Sequence, residues 1–136
     1  MKKLVMVVMF VWLTTFVFAT TATEEQQYQE RMKRTGGYMR MLRENFKTNN
    51  RDKVISAAKE LESIFKQEGK FWAKRKTDDA VKLSKEAQDA ARAIITTAKK
   101  KEDDQTAVAM KNLTNSCTAC HVAHREFTSG CSGRIK

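Results

Sequence analysis

Four stretches of this chain repeat apolar side chains at alternating spacings of four and three residues, and no proline interrupts any of them. That spacing keeps one face of an α-helix apolar turn after turn. A proline would break such a stripe by removing a backbone donor and clashing with the preceding turn. Tyr28, Met32, Thr35, Met39, Leu42 and Phe46 carry the first stripe, over residues 24 to about 47. Val54, Ala58, Leu61 and Phe65 carry the second, from about Asp52 to Glu68, with Gly69 as a natural stop. Ala80, Leu83, Ala87, Ala90 or Ala91, Ile94 and Ala98 define the third, over residues 78–101. The fourth spans about 105–127 through Met110, Leu113, Cys117, Cys120 or His121, His124 and Phe127.

The links between these stripes are short. Thr48-Asn49-Asn50 is a polar break with good helix-capping candidates. Residues 70–77 read as the longest connection, in which Phe71 and Trp72 fold back over the core or a cofactor edge. Thr77 before Asp78 and Asp79 reads as a capping hydroxyl followed by carboxylates at the positive end of a helix dipole. Lys99-Lys100-Lys101 suits a helix C-terminus, and Glu102-Asp103-Asp104 the start of the next element. Gly130 and Gly133 mark a loose tail. Four amphipathic helices with such links predict an all-α fold, an antiparallel four-helix bundle, as one domain over residues 23–136. Taken alone, each stripe is ordinary core. Gly36-Gly37 stands out, because each glycine inside a helix costs about 1 kcal/mol relative to alanine. The pair either weakens the first helix or lets something bulky approach its backbone.

Residues 1–22 read as a secretory signal peptide. Lys2 and Lys3 form a basic start, residues 4–19 are almost wholly apolar, and small residues follow, with cleavage after Ala19 or Ala22. The apolar run is shorter than the ~20 residues a membrane-spanning helix needs, so no stable membrane insertion is expected. The expected destination is the periplasm, as a soluble exported protein. Removing the leader takes away Lys2 and Lys3, so the formal charge of +10 becomes +8. That excess is spread in mixed-sign runs, with no basic block interleaved with exposed aromatics, and gives no nucleic-acid signature. It is either a plainly solvated surface or a means of steering toward an acidic protein partner or an anionic membrane surface.

Chemistry concentrates in Cys117-Thr118-Ala119-Cys120-His121. Two thiols three apart with an imidazole directly after the second is the attachment pattern for a c-type haem. On a helix both thiols share a face, so both can reach the vinyl groups of one porphyrin while His121 approaches the iron. Two other readings compete. A zinc site could draw on Cys117, Cys120, His121 and His124, but four ligands on one short helical stretch converge poorly to a tetrahedron. A thioredoxin-like pair needs a βαβ context, for which the sequence carries no strand signal. The third cysteine, Cys131, has no assigned role and suits either a free thiol or an intermolecular disulfide.

The run from Cys117 to Arg125 resembles the C-x-x-C-H-x-x-aromatic-Arg segment of the class II cytochromes c, the cytochrome c′ family. The segment from Met32 through Gly36-Gly37 to Met39 is similar to the first-helix region of the family's low-spin, Met-ligated branch. This resemblance covers nearly the whole mature chain. It implies one covalently attached haem c, thioethers at Cys117 and Cys120, His121 as the proximal iron ligand, Arg125 near the haem edge or propionates, and Met32 on the distal side. It also implies a bundle of a kind that is often a homodimer. The chain departs from the pattern where His124 replaces the usual aromatic, where Tyr28 replaces a frequent arginine, and where no proline follows the second helix.

Met32 decides what such a haem does. A thioether bound to iron gives a His/Met-ligated electron carrier with a raised potential, serving a redox partner protein and having no catalytic residues of its own. A Met32 that only packs above the iron leaves a five-coordinate, cytochrome c′-like haem suited to NO or CO. His124 lies three residues from His121 on the same helix, hence on the same side of a porphyrin, and does not serve as the second ligand. The sequence favours an electron carrier, with gas binding as the alternative.

Overall fold

Thr23 opens the first helix with a reciprocal cap: Gln26 N–H donates to Thr23 Oγ1 at 3.2 Å, and Thr23 N–H donates to Gln26 Oε1 at 2.8 Å. The computed structural model of the chain describes residues 23–126 and 134–135. Within them run α1 (Glu24–Lys47), α2 (Arg51–Lys74), α3 (Asp78–Lys100) and α4 (Asp103–His124). The helix α1 packs on α2, α2 on α3, and α3 on α4, in a four-helix bundle. The leader, Phe127, Gly130, Cys131 and Gly133 lie outside the described residues.

The turns follow from local chemistry. Asn50 caps α2 by accepting a bond from Lys53 N–H at 3.4 Å, after Asn49 reverses the chain at φ 54°. Lys101 adopts the left-handed conformation, φ 62° and ψ 31°, and closes α3 while Glu102 N–H donates back to Thr97 O at 3.0 Å. Across that turn Thr106 donates to Thr97 Oγ1 at 2.8 Å, and Thr97 in turn donates to Ala93 O at 3.0 Å. The pair ties α4 to α3 inside the core. Thr77 occupies the capping position of α3, but its hydroxyl donates backwards to Arg75 O, so the expected side-chain cap is not made.

Two helix boundaries differ from the sequence reading. Gly69 does not stop α2; the helix continues to Lys74, and the expected long connection shrinks to residues 75–77. Burial of Phe71 and Trp72 on the same face as Leu61 and Phe65 outweighs the weak helix propensity of one glycine. At the other end α4 stops at His124, because Arg125 turns extended, at φ −115° and ψ 125°. Arg125 and Glu126 pair antiparallel with Ile135 and Arg134, in two short strands β1 (Arg125–Glu126) and β2 (Arg134–Ile135). The expected loose tail is therefore pinned at these positions, and Ile135 packs against the aromatic end of the bundle.

The core falls into two parts. One gathers Leu42, Val54, Leu61, Ile94 and Leu113 from all four helices. The other is aromatic: Tyr28 stacks on Phe71 at 4.5 Å, and Trp72 meets both rings edge-on at 5.6 and 5.2 Å. What separates the two parts is the site.

Candidate cofactor site

A cavity of about 320 Å³ borders both core clusters and is lined by α1, α2, α3 and the C-terminal half of α4. That volume is in the range of sites that hold small molecules and cofactors. Met39, Phe65 and Ala87 of the first cluster border it on one side, and Tyr28 and Trp72 of the aromatic cluster on the other. Interiors are otherwise close-packed, so an apolar gap at the centre of a bundle is the form a cofactor site takes.

Helical spacing explains which side chains reach it. On α1, Met32, Gly36, Met39 and Arg43 follow one another at 4, 3 and 4 residues and line the α1 wall together. On α4, Cys117 and Cys120 share a face, His121 sits beside them, and all three line the cavity too. Arg125 borders the same cavity, where α4 gives way to β1. Met32, Cys117, Cys120, His121 and Arg125 thus all border one space. Phe71 and Trp72 are helical rather than looped, and Trp72 does close one side of the cavity.

The donors are in forms that suit a covalently held iron porphyrin. Burial pushes the Cys117 thiol up to about 11, with Cys120 adding to the shift. Burial, followed by the negative charges of Asp79 and Glu68, pushes Cys120 up to about 11. Neither is the low-pKa thiolate of a redox-active pair. Burial, with the positive charge of Arg125 behind it, lowers the His121 pKa and keeps the imidazole neutral, as metal ligation requires. The zinc alternative loses its fourth ligand: His124 Nε2 is bonded to Asp79 Oδ2 at 2.7 Å, and its ring lies 5.1 Å from that of Trp72. Among the described residues no three His, Cys, Asp or Glu side chains stand together as a metal-ion site.

Gly36 borders the cavity, and a Cβ built there meets nothing within 4 Å, as at Gly37. Protein packing does not require either glycine, which leaves room at Gly36 for a bound group to approach the backbone. Arg43 and Arg125 are cations at the cavity wall, suited to anionic substituents such as propionates.

Two charged cavity residues, Arg43 and Glu68, escaped the sequence reading. Arg43 had a signal, since it continues the spacing of Met32, Gly36 and Met39. Glu68 had one too: Val54, Ala58, Leu61, Phe65, Glu68 and Trp72 form one unbroken stripe once the helix passes Gly69. Glu68 is 2% exposed, and its Oε1 accepts from Arg31 Nε. Its Oε2 is buried with no hydrogen-bond partner among the described residues. Burial pushes the carboxyl up to about 7, against the pull of the Arg31 guanidinium.

No protein-family model matches the sequence, and no curated protein does. Solved structures do match. The cytochrome c′ from Thermochromatium tepidum superposes with a TM-score of 0.58 at 20% identity, covering 76% of this chain and 97% of that one. A second cytochrome c′, described by an unusual ligand-controlled dimer dissociation, gives a TM-score of 0.59 at 16% identity, over 85% of this chain and 100% of its own. The chain therefore has the four-helix bundle fold of these cytochromes c′.

Proposed function

We propose that this chain is an exported, periplasmic monohaem c-type cytochrome that carries single electrons. The support is one observation: a thioether on α1 and a Cys-x-x-Cys-His face on α4 border a single cavity. Bound there, an iron porphyrin supplies a one-electron couple between ferric and ferrous iron, and everything else falls to the chain. Cys117 and Cys120 would hold the group through thioether bonds. His121 would hold the iron through its imidazole and Met32 through its thioether, a pair that raises the reduction potential. Phe65 and Trp72 exclude water, and Arg43 and Arg125 balance the negative substituents.

No residue of the site is asked to make or break a substrate bond, so the reading is of a carrier rather than an enzyme. Thr118 and Ala119, between the two thiols, are exposed, and Thr118 also borders the cavity, so this stretch of α4 is where a bound group would meet solvent. A redox partner docks there, and the basic balance of the chain favours an acidic one. A homodimer is part of the same reading, by likeness to the bundles the sequence resembles. Among the described residues no helix is long and apolar enough to cross a membrane.

The second reading is a five-coordinate haem that binds NO or CO. The largely apolar lining contributed by Tyr28, Phe65 and Trp72 favours it, as does the likeness of the fold to a cytochrome c′ described by ligand-controlled behaviour. Met32→Ala separates the two. Under ligation, the oxidised protein shows the long-wavelength charge-transfer band of a Met–iron bond, and the variant loses it and turns high-spin. A wild type that is already high-spin, takes up CO readily and is spectrally unchanged by Met32→Ala establishes the second reading instead.

A further inference from the structure

We propose that Glu68 is a proton-binding site coupled to the electron at this cavity, so that the chain takes up one proton as it accepts one electron. The inference rests on the haem reading above. Its ground is geometric. Glu68 borders the cavity from α2, is 2% exposed, holds Arg31 with one carboxylate oxygen and leaves the other buried without a hydrogen-bond partner among the described residues. A buried, unpaired carboxylate oxygen is an unfavourable arrangement unless something comes to satisfy it. A proton does so.

The surroundings make the proton's affinity sensitive to the cavity's charge. Arg31 and Tyr28 face Glu68 from α1, and Cys120 lies near it on α4. From α3 the cavity receives only the uncharged Leu83, Ser84 and Ala87, while Arg43, Cys117, His121 and Arg125 are the remaining ionisable groups among the described residues on its wall. Among the described residues Arg31 is the single cation bonded to the carboxylate, and it does not fully offset burial, because the Glu68 carboxyl sits at about 7. An electron entering the cavity adds one negative charge in a medium of low dielectric, which raises a neighbouring carboxyl's pKa further.

The step balances simply. A one-electron donor protein supplies the electron that takes the iron from ferric to ferrous. Glu68 Oε2 takes one proton from solvent, and the cavity's net charge is unchanged. Re-oxidation by an electron acceptor returns the proton.

The sign follows from linkage. Because reduction is accompanied by proton uptake, the potential falls as pH rises between the Glu68 pKa of the oxidised form and that of the reduced form. In that window the reduction equilibrium shifts up to tenfold per pH unit, about 59 mV for a one-electron couple.

The test is spectroelectrochemical titration of the haem-loaded protein from about pH 5 to about pH 9, a span that brackets the relevant carboxyl. The wild type should show the falling segment. Glu68→Gln should flatten it, and Glu68→Asp should keep it with the window displaced. A wild-type potential that is flat across the span, or a Glu68→Gln slope equal to that of the wild type, overturns the proposal. Should Glu68→Gln not fold, reduced-minus-oxidised infrared spectra of the wild type decide. A protonated-carboxyl C=O band appearing on reduction supports the site, and its absence overturns it. A purified chain with no Soret band sinks the haem reading itself and this proposal with it. A normal one-electron couple without pH dependence sinks the proposal alone.

Discussion

Replacing Glu68 by glutamine should change how the stability of the bundle depends on pH, by an amount that follows from its burial. The unfolded chain gives up this proton near the ordinary 4.5, whereas the folded chain keeps it to about 7. Between those values the folded state binds one proton more than the unfolded state, so stability falls as pH rises and levels off above about 7. At about 1.4 kcal/mol per pH unit the whole span amounts to about 3 kcal/mol. At 2% exposure the group has almost no solvent to screen that value. Glutamine cannot titrate, so the variant lacks this pH-dependent contribution. The assay is urea unfolding of the oxidised protein, wild type against Glu68→Gln, at about pH 5 and about pH 8, on either side of the transition. The wild type should lose about 3 kcal/mol more than the variant on going to the higher pH. Equal losses in the two proteins would show that Glu68 titrates normally and that its buried oxygen has a partner.

Two further outcomes test the packing and the cavity. Leu113→Ala, at a fully buried site where α4 meets the main core, should destabilise the bundle by about 2–5 kcal/mol in urea unfolding while leaving the visible spectrum in place. Gly37→Ala should stabilise the loaded protein by about 1 kcal/mol through helix propensity alone. Gly36→Ala, whose Cβ enters the cavity wall, should forfeit that gain and shift the Soret band. Equal stabilisation by both alanines with unchanged spectra would mean that nothing approaches the backbone of α1.

Much of the architecture was legible in the sequence because helical periodicity is a local property. Leu42, Leu61, Ile94 and Leu113, each picked out by its stripe, are all fully buried. The boundaries that were missed were decided at a distance. Whether Gly69 ends a helix depends on whether Phe71 and Trp72 find partners, and Tyr28, on another helix, is what they find. Whether α4 runs past His124 depends on Arg134 and Ile135 returning to pair with Arg125 and Glu126. At the site, residue types with strong chemistry announced themselves, as the two thiols and the adjacent imidazole did. Glu68 did not, because a glutamate near the expected end of a charged helix reads as surface. Only the continuation of the stripe to Trp72 turns it inward.

The order in which the helices pack has a consequence for assembly. Protein contacts join α1 to α2, α2 to α3 and α3 to α4. The bundle thus has three close helix–helix seams, while α1 and α4 share the main core and the cavity lining, so a group bound between them would add a fourth seam to the bundle.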